Sequence, residues 1–214
     1  MSHWKAFGYA ICVATCLLAE TAGSAHAECS LAGSFCATEW SGGTVTDVGS
    51  LPGTTFSEAT SINDAGQVVG TSGFGGIGRA SEWSGGSVIN LGGLSGSTGS
   101  QANGINTAGQ VVGSSTIGGV TYATEWSGGS VTNLGGLTSS TASSASAIND
   151  AGQAVGVSVV GGVEAATEWS GGSVTNLGGL TGSTASSTSL VGSVADAVVP
   201  LPAELLILLV NVVV

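Results

Sequence analysis

Residues 123–137 read Ala-Thr-Glu-Trp-Ser-Gly-Gly-Ser-Val-Thr-Asn-Leu-Gly-Gly-Leu, and this stretch decides the fold. The glycine pair at 128–129 separates two short segments in which apolar and polar residues alternate. Such a pattern predicts two antiparallel strands joined by a tight turn. A second glycine pair at 135–136 breaks the alternation and predicts a bend near Leu134. Because the stretch has no helical periodicity, it predicts a β-hairpin.

The hairpin returns at a fixed interval along the chain. Four copies of Glu-Trp-Ser-Gly-Gly follow one another at 43-residue steps, with tryptophans at Trp40, Trp83, Trp126 and Trp169. Three copies of a second motif, Ile-Asn-x-Ala-Gly-Gln, keep the same 43-residue step and begin at Ile62, Ile105 and Ile148. Two independent motifs with one period indicate a repeat of about three and a half units.

Each unit predicts four short strands. The second motif predicts a second hairpin, because its Asn and Gly residues tolerate positive φ in a turn. Glycines such as the pair at 161–162 are expected to form loops between hairpins. Four strands in about 43 residues are typical of a β-propeller blade, and stacked units would bury their tryptophans between them. We therefore predict an all-β, propeller-like stack of antiparallel hairpins, with an open β-solenoid as the alternative.

The number of hairpins does not decide whether the units close into a propeller ring. There are four tryptophan hairpins but three hairpins of the second type, and the pattern is lost from Val191. Small propellers usually need four blades. Either the C-terminal tail supplies the missing strands, or the ring stays open, or the molecule is a curved array of hairpins.

The segments before the repeat indicate export. Residues 1–27 combine a basic start, an apolar stretch and Ala25-His26-Ala27, which predicts a cleaved signal helix. Residues 28–36 form a short lead that contains Cys29 and Cys36. In an oxidising compartment this pair predicts one local disulfide that closes a small N-terminal loop, with two free or intermolecular thiols as the alternative.

Two further segments complete the domain organisation. Residues 37–189 form the predicted β repeat domain, and residues 190–214 form a hydrophobic tail. The apolar run of the tail is shorter than the roughly 20 residues that a membrane-spanning helix needs. We expect membrane contact, if any, through residues 199–214 alone, with an edge strand or a disordered end as the alternative.

The charge balance excludes several classes of function. The chain has 13 acidic residues against Lys5 and Arg79, which gives a net charge of −11. So few cations cannot neutralise phosphates, which argues against nucleic-acid binding and against basic adhesion to membranes. Without the signal segment the chain has no histidine or lysine, so a nucleophilic triad has no base. We predict no enzyme activity and no cofactor.

Carboxylates are the remaining candidates for chemistry. The repeated glutamates are Glu39, Glu82, Glu125 and Glu168. They occupy one position in every unit, whereas a catalytic acid–base pair needs two unlike environments. We interpret them as scaffold, with a carboxylate-dependent, glycan-acting extracellular enzyme as the alternative. A further hypothesis is that they line one face and bind a cation together.

The Asn-Asp pairs of the second motif resemble a calcium loop only faintly. Asn63-Asp64 and Asn149-Asp150 precede Ala-Gly, but the middle copy is Asn106-Thr107 and lacks the carboxylate. Calcium prefers six to eight oxygen ligands, and turn chemistry explains these residues without an ion. We therefore predict no metal-binding residues.

Variation between the units indicates where a partner would bind. The segments that differ most are residues 73–79, 116–122 and 157–164, which precede the tryptophan strands. Arg79 and Tyr122 are their interaction-prone side chains. We predict a secreted or surface-exposed binding or structural module, with an unknown extracellular ligand or self-association. The alternative is a fragment of a longer repeat array.

The repeated motifs resemble those of the HAF-repeat family of predicted extracellular bacterial proteins. The match lies in Val131–Leu137 and Ile62–Gly70, and the resemblance covers residues 37–189. The His-Ala-Phe triplet of the family is replaced here by Ala37-Thr38-Glu39 and its copies. The resemblance implies an extracellular location and a repeat architecture, and it implies no activity.

The tail has a resemblance of its own. Val199-Pro200-Leu201-Pro202-Ala203 and the apolar run after it resemble a PEP-CTERM sorting signal. The basic end of such signals is missing, because the tail contains no arginine or lysine. The resemblance implies a degenerate or truncated anchor.

Overall fold

The computed structural model describes residues 36–41, 43–179 and 186, and all regular structure there is β. Fourteen strands form four antiparallel sheets. None of the four closes on itself, and the described part contains no helix that could cross a membrane. The all-β prediction is confirmed. The predicted signal helix, Cys29 and the tail lie outside the described residues.

The strands follow one another in sequence order within each sheet. The first sheet holds β1 (Thr38–Ser41) and β2 (Thr44–Asp47). The second sheet holds β3 (Phe56–Ile62), β4 (Val68–Phe74), β5 (Ile77–Ser84) and β6 (Ser87–Gly92). The third sheet holds β7 (Gly99–Ile105), β8 (Val111–Ile117), β9 (Val120–Ser127) and β10 (Ser130–Gly135). The fourth sheet holds β11 (Ser140–Ile148), β12 (Ala154–Val160), β13 (Val163–Ser170) and β14 (Ser173–Asn176). Each complete unit therefore has the four strands that the sequence predicts.

Pairs of glycines form the tightest turns of the sheets. Gly128 and Gly129 join β9 to β10 with φ values of 56° and 78°. Positive φ at both central residues gives a turn whose twist matches that of the flanking strands. The predicted tryptophan hairpin is confirmed. The expected bend is present as well, because the pairing of β10 with β9 shifts register between Asn133 and Gly135.

The expectation of a loop at the glycine pair 161–162 was wrong. Gly161 and Gly162 form a tight turn of the same kind, with φ values of 60° and 80°. This turn joins β12 to β13, and strand pairing continues up to it, with Val160 opposite Val163. Two glycines suffice for the turn, and the β-branched residues beside them favour strands. Each unit is therefore one continuous four-stranded meander.

The second strand of each complete sheet requires a glycine at one position. In the third sheet β7 bulges between Ala102 and Gly104, opposite Gly113 of β8. A Cβ at Gly113 would overlap the carbonyl oxygen of Gln101. The same overlap, with the carbonyl of the first strand, exists at Gly70 and Gly156. The close approach of the two backbones explains the glycine.

The hydrophobic core lies between neighbouring sheets. Trp126 is 3% exposed and packs with Ile105 and Val111 of its own sheet and with Val69 and Ala80 of the second sheet. Equivalent clusters hold Trp83 and Trp169. The prediction that the tryptophans pack between units is therefore confirmed for these three copies.

One serine in each unit fastens a sheet to the preceding one. Ser100 Oγ accepts a hydrogen bond from the backbone N–H of Ala80 at 3.0 Å and donates to the carbonyl of Gly92 at 2.6 Å. Ser57 and Ser143 repeat both bonds. Ser186 accepts the equivalent bond from Ala166 at 2.9 Å. Ser186 therefore occupies the position of this serine relative to the fourth sheet.

The close approach at Gly113 generates a stability prediction. Gly113→Ala is expected to lower the free energy of unfolding by about 1–3 kcal/mol, because the new methyl group collides with backbone that cannot move freely. Gly99→Ala is the control, since a Cβ there would meet no atom closer than 3.3 Å. Chemical denaturation measures both. Equal losses in the two variants would contradict the proposed reason for the glycine.

Candidate functional site

The repeated glutamates belong to a hydrogen-bonded chain of three side chains. In the third sheet the Nδ2 of Asn106 donates to Gln110 Oε1 at 2.8 Å. The Nε2 of Gln110 donates in turn to Glu125 Oε1 at 3.1 Å. The other two complete sheets contain the same chain, formed by Asn63, Gln67 and Glu82 and by Asn149, Gln153 and Glu168.

The asparagine of this chain also joins one sheet to the next. Asn63 Nδ2 donates to the carbonyl of Asn106 at 3.0 Å, and Asn106 Nδ2 donates to the carbonyl of Asn149 at the same distance. The Oδ1 of Asn106 accepts the N–H of Gln110 at 2.9 Å and closes its own turn. A single amide therefore fixes the turn and the position of the neighbouring sheet.

This arrangement gives the glutamates a structural role. Glu82, Glu125 and Glu168 lie in three different sheets, and each accepts a hydrogen bond from a glutamine of its own sheet. Among the described residues, no three histidine, cysteine, aspartate or glutamate side chains come close enough to hold a metal ion. The hypothesis that the repeated glutamates bind one cation jointly has no supporting geometry in that part of the chain.

The turn aspartates form a different contact. Asp150 Oδ1 accepts the backbone N–H of Thr107 at 2.9 Å and its hydroxyl at 2.7 Å. These two bonds, the backbone bond first, hold the pKa of the Asp150 carboxyl below its ordinary value of 3.8. Thr107 occupies the place of an aspartate in the other units and supplies a donor to the next sheet.

The variable segment 73–79 is the tip of the hairpin β4–β5. Phe74 and Ile77 pair across the Gly75-Gly76 turn and are 64% and 52% exposed. Arg79 lies two residues after Ile77, so its side chain is on the same side of the strand. The hairpin tip therefore presents two large apolar side chains and a cation to solvent.

This tip forms one wall of an open cleft, which we call the Arg79 cleft. The opposite wall is the linker between β2 and β3, and the volume is about 550 Å³. Its lining residues are Leu51, Pro52, Gly53, Thr54, Phe74, Ile77, Arg79 and Asn90. The lining contains no carboxylate, and the Arg79 guanidinium has no hydrogen bond or ion pair with any described residue.

A second, more polar cleft lies on the other side of the same tip. It has a volume of about 330 Å³ and reaches from Ile77 across the third sheet to Ser144 of the fourth. Its polar lining consists of Thr98, Ser100, Gln101, Ser114, Thr116, Thr121 and Ser144. The two clefts share Ile77, which is therefore the residue between them.

The structure places the predicted contact residues apart. Arg79 lines the cleft, whereas Tyr122 is half-buried in β9 and lines neither of the two clefts. Sequence reasoning missed Phe74, Ile77 and the 51–54 linker as one site. It also missed the Asn–Gln–Glu chain, although the repetition of all three residues at a fixed spacing was a signal for it.

Comparison with known proteins gives matches among solved structures but none among families or curated proteins. No family model matches the chain, and no curated protein matches it. The crystal structure of TolB from Acinetobacter baumannii is similar to it with a TM-score of 0.48 and 18% sequence identity. The match covers 72% of this chain and 37% of TolB, so the chain spans well under half of that protein. A likeness of this size supports no statement about binding.

The cross-sheet amide generates a second stability prediction. Asn106→Ala removes bonds to Gln110 and Asn149 and is expected to cost about 2–4 kcal/mol of unfolding free energy. Asn149→Ala is the matched control, because the Asn149 side chain bonds to Gln153 but to no further sheet within the described residues. We expect its loss to be smaller by about 1 kcal/mol. Equal losses would mean that the bond between sheets contributes nothing.

The Asp150 contact generates a pH prediction. A carboxyl whose pKa is lowered on folding stabilises the fold above its ordinary pKa of 3.8, and this stabilisation is lost as the pH falls through the folded pKa. Thr107→Ala should raise the pKa of Asp150 only partway, because the backbone N–H remains. Carboxyl carbon NMR measures this pKa, with the exposed Thr175→Ala as the control, because Thr175 has no hydrogen bond to Asp150. An unchanged pKa in Thr107→Ala would contradict the assignment.

Proposed function

We propose that the chain is a secreted or cell-surface module whose sheets form a propeller-like stack and which binds a ligand at the Arg79 cleft. The observation that carries this proposal is the convergence of exposed Phe74, exposed Ile77 and the partnerless Arg79 on one cleft. Large apolar side chains that share one exposed patch are typical of binding surfaces.

The difference between the repeated residues, which bond to one another, and the variable residues, which lie at the hairpin tips, supports the proposal. The repeated Asn, Gln and Glu residues bond to one another inside the array, as Asn106, Gln110 and Glu125 do. The hairpin tips differ from unit to unit. The positions equivalent to Phe74 in the third and fourth sheets are Ile117 and Val160. Those equivalent to Ile77 are Val120 and Val163, and those equivalent to Arg79 are Tyr122 and Ala165. A fixed scaffold with variable tips is how repeat proteins present binding surfaces.

We infer a binding role and not a catalytic one. The carboxylates that a glycan-acting enzyme would use lie in separate sheets, and each accepts a hydrogen bond from a glutamine. Such an arrangement gives no pair of unlike carboxyl groups across a cleft, which acid–base hydrolysis needs. The Arg79 cleft itself is lined by no carboxylate.

The location outside the cytoplasm rests on the sequence. Residues 1–27 have the basic, apolar and small-residue regions of a signal peptide. A surface covered by Ser, Thr, Gly and Asn, with a net charge of −11, accords with the extracellular location that the HAF-repeat resemblance implies.

The proposed function predicts the effect of removing the apolar tip. Heptapeptides are selected from a random library on the immobilised chain, and glycans are identified by probing a glycan array with the chain. The double variant Phe74→Ser, Ile77→Ser should no longer bind these ligands. The stability of that variant should change by no more than about 1–2 kcal/mol, because both side chains are exposed and only strand propensity is altered.

The matched control is Val160→Ser with Val163→Ser, the same tip in the fourth sheet, which should keep all binders. Surface plasmon resonance measures the binding and circular dichroism the fold. If neither library yields a binder sensitive to the second-sheet variant alone, the proposed function is wrong.

A further inference from the structure

Arg79 is the one arginine of the whole sequence, and Lys5, in the predicted signal segment, is the one lysine. In a chain with 13 acidic residues, a cation would be expected to pair with a carboxylate. The Arg79 guanidinium instead has no ion pair or hydrogen bond with any described residue. Its positive charge is therefore available to a ligand.

We propose that the Arg79 cleft binds a carboxylate group carried on an apolar body; this inference rests on the proposed function and names the ligand class of the same site. The planar guanidinium presents parallel N–H donors whose spacing matches the two oxygens of a carboxylate. Because the cleft lining has no acidic side chain, no internal carboxylate competes for these donors.

A second donor lies in the same cleft. The Oδ1 of Asn90 accepts the N–H of Gly92 at 2.9 Å, which fixes the orientation of the amide. Its Nδ2 donates to no described residue and is available to an anionic oxygen. The cleft thus offers an arginine and an amide as donors, and a carboxylate is an acceptor without protons of its own.

The remaining walls favour an apolar body. Phe74 and Ile77 stand on the same side of the hairpin as Arg79, and Leu51 and Pro52 face them from the linker. Covering Phe74 and Ile77, which are 64% and 52% exposed, removes apolar surface from water. The volume of about 550 Å³ is in the range of small-molecule sites.

The site belongs to the second sheet alone. At the position of Arg79 the third sheet has Tyr122 and the fourth has Ala165, neither of which carries a positive charge. The repeat therefore supplies its own comparison positions. Apolar residues recur at the tips of the other units, whereas the positive charge of Arg79 does not, so a carboxylate ligand selects the second sheet.

The test uses NMR of the purified, nitrogen-15-labelled chain. Because the chain has one arginine, the Nε–Hε signal of Arg79 is assigned without ambiguity. The probes are octanoate and a short peptide ending in leucine with a free carboxylate. Each is compared with its neutral counterpart, octanamide or the peptide C-terminal amide.

We expect at least one acid to shift the Arg79 signal and to bind about tenfold more tightly than its neutral counterpart, the effect of one charge-assisted hydrogen bond. The affinity of the acid should fall as salt is raised. If octanoate alone binds, the ligand is an acyl acid, and if the peptide alone binds, it is a peptide C-terminus. Either result supports the proposal.

Variants separate the two proposals. Arg79→Gln should reduce the affinity for the acids about tenfold and leave the affinity for the neutral probes unchanged. Arg79→Lys should bind the acids more tightly than Arg79→Gln but less tightly than the unchanged chain. Ile77→Ser should weaken the binding of acid and amide alike. Val163→Ser, the equivalent position in the fourth sheet, should have no effect.

If acid and amide bind equally and both depend on Ile77, the carboxylate inference fails and the proposed binding site stands. If no probe binds, the carboxylate inference is overturned, and the library selection then decides the proposed function by itself.

Discussion

The burial of one tryptophan face between successive sheets is the constraint on which the rest of the structure depends. Trp126 and its apolar neighbours belong to one sheet, but the residues that cover them, Val69 and Ala80, belong to the sheet before it. A sheet of this composition cannot bury both faces alone, so its stability comes from stacking. The two ends of the array differ for this reason. Val69 and Val112 are fully buried, whereas Val155 in the fourth sheet is half-buried, because no further complete sheet follows it in the described part of the chain.

Polar side chains determine how the stacked sheets are aligned. Hydrophobic contact is not directional, but the amide of Asn106 and the hydroxyl of Ser100 each satisfy a particular backbone group of a neighbouring sheet. The 43-residue step of these bonds explains why the repeat length is constant. The residue after the repeated asparagine is an aspartate in the second and fourth sheets and a threonine in the third, and this difference also serves contact between sheets. A carboxylate in place of Thr107 would face that of Asp150 and repel it, whereas threonine donates two hydrogen bonds to it.

The residues that recur in every complete unit form hydrogen bonds with one another within the sheets. Glu82, Glu125 and Glu168 each accept a hydrogen bond from a glutamine. Asn63 and Asn106 each donate a hydrogen bond to the neighbouring sheet. The proposed binding site instead uses side chains that the repeat does not copy. Arg79 is the clearest of them, because the one arginine of the sequence lies beside exposed apolar residues and forms no ion pair with a described carboxylate.

The sequence by itself determined the β class, the 43-residue period, the tryptophan and asparagine hairpins and the bend near Leu134, because turns and strands depend on residues close to one another along the chain. It also indicated Arg79 as a contact residue. The tertiary structure alone decided that the segment around 161–162 is a tight turn, that Glu125 bonds to Gln110, and that the 51–54 linker faces the 73–79 tip. These features depend on strand register and on the stacking of sheets. Residues that are distant in sequence meet only when apolar faces have been paired, and no local pattern encodes that meeting.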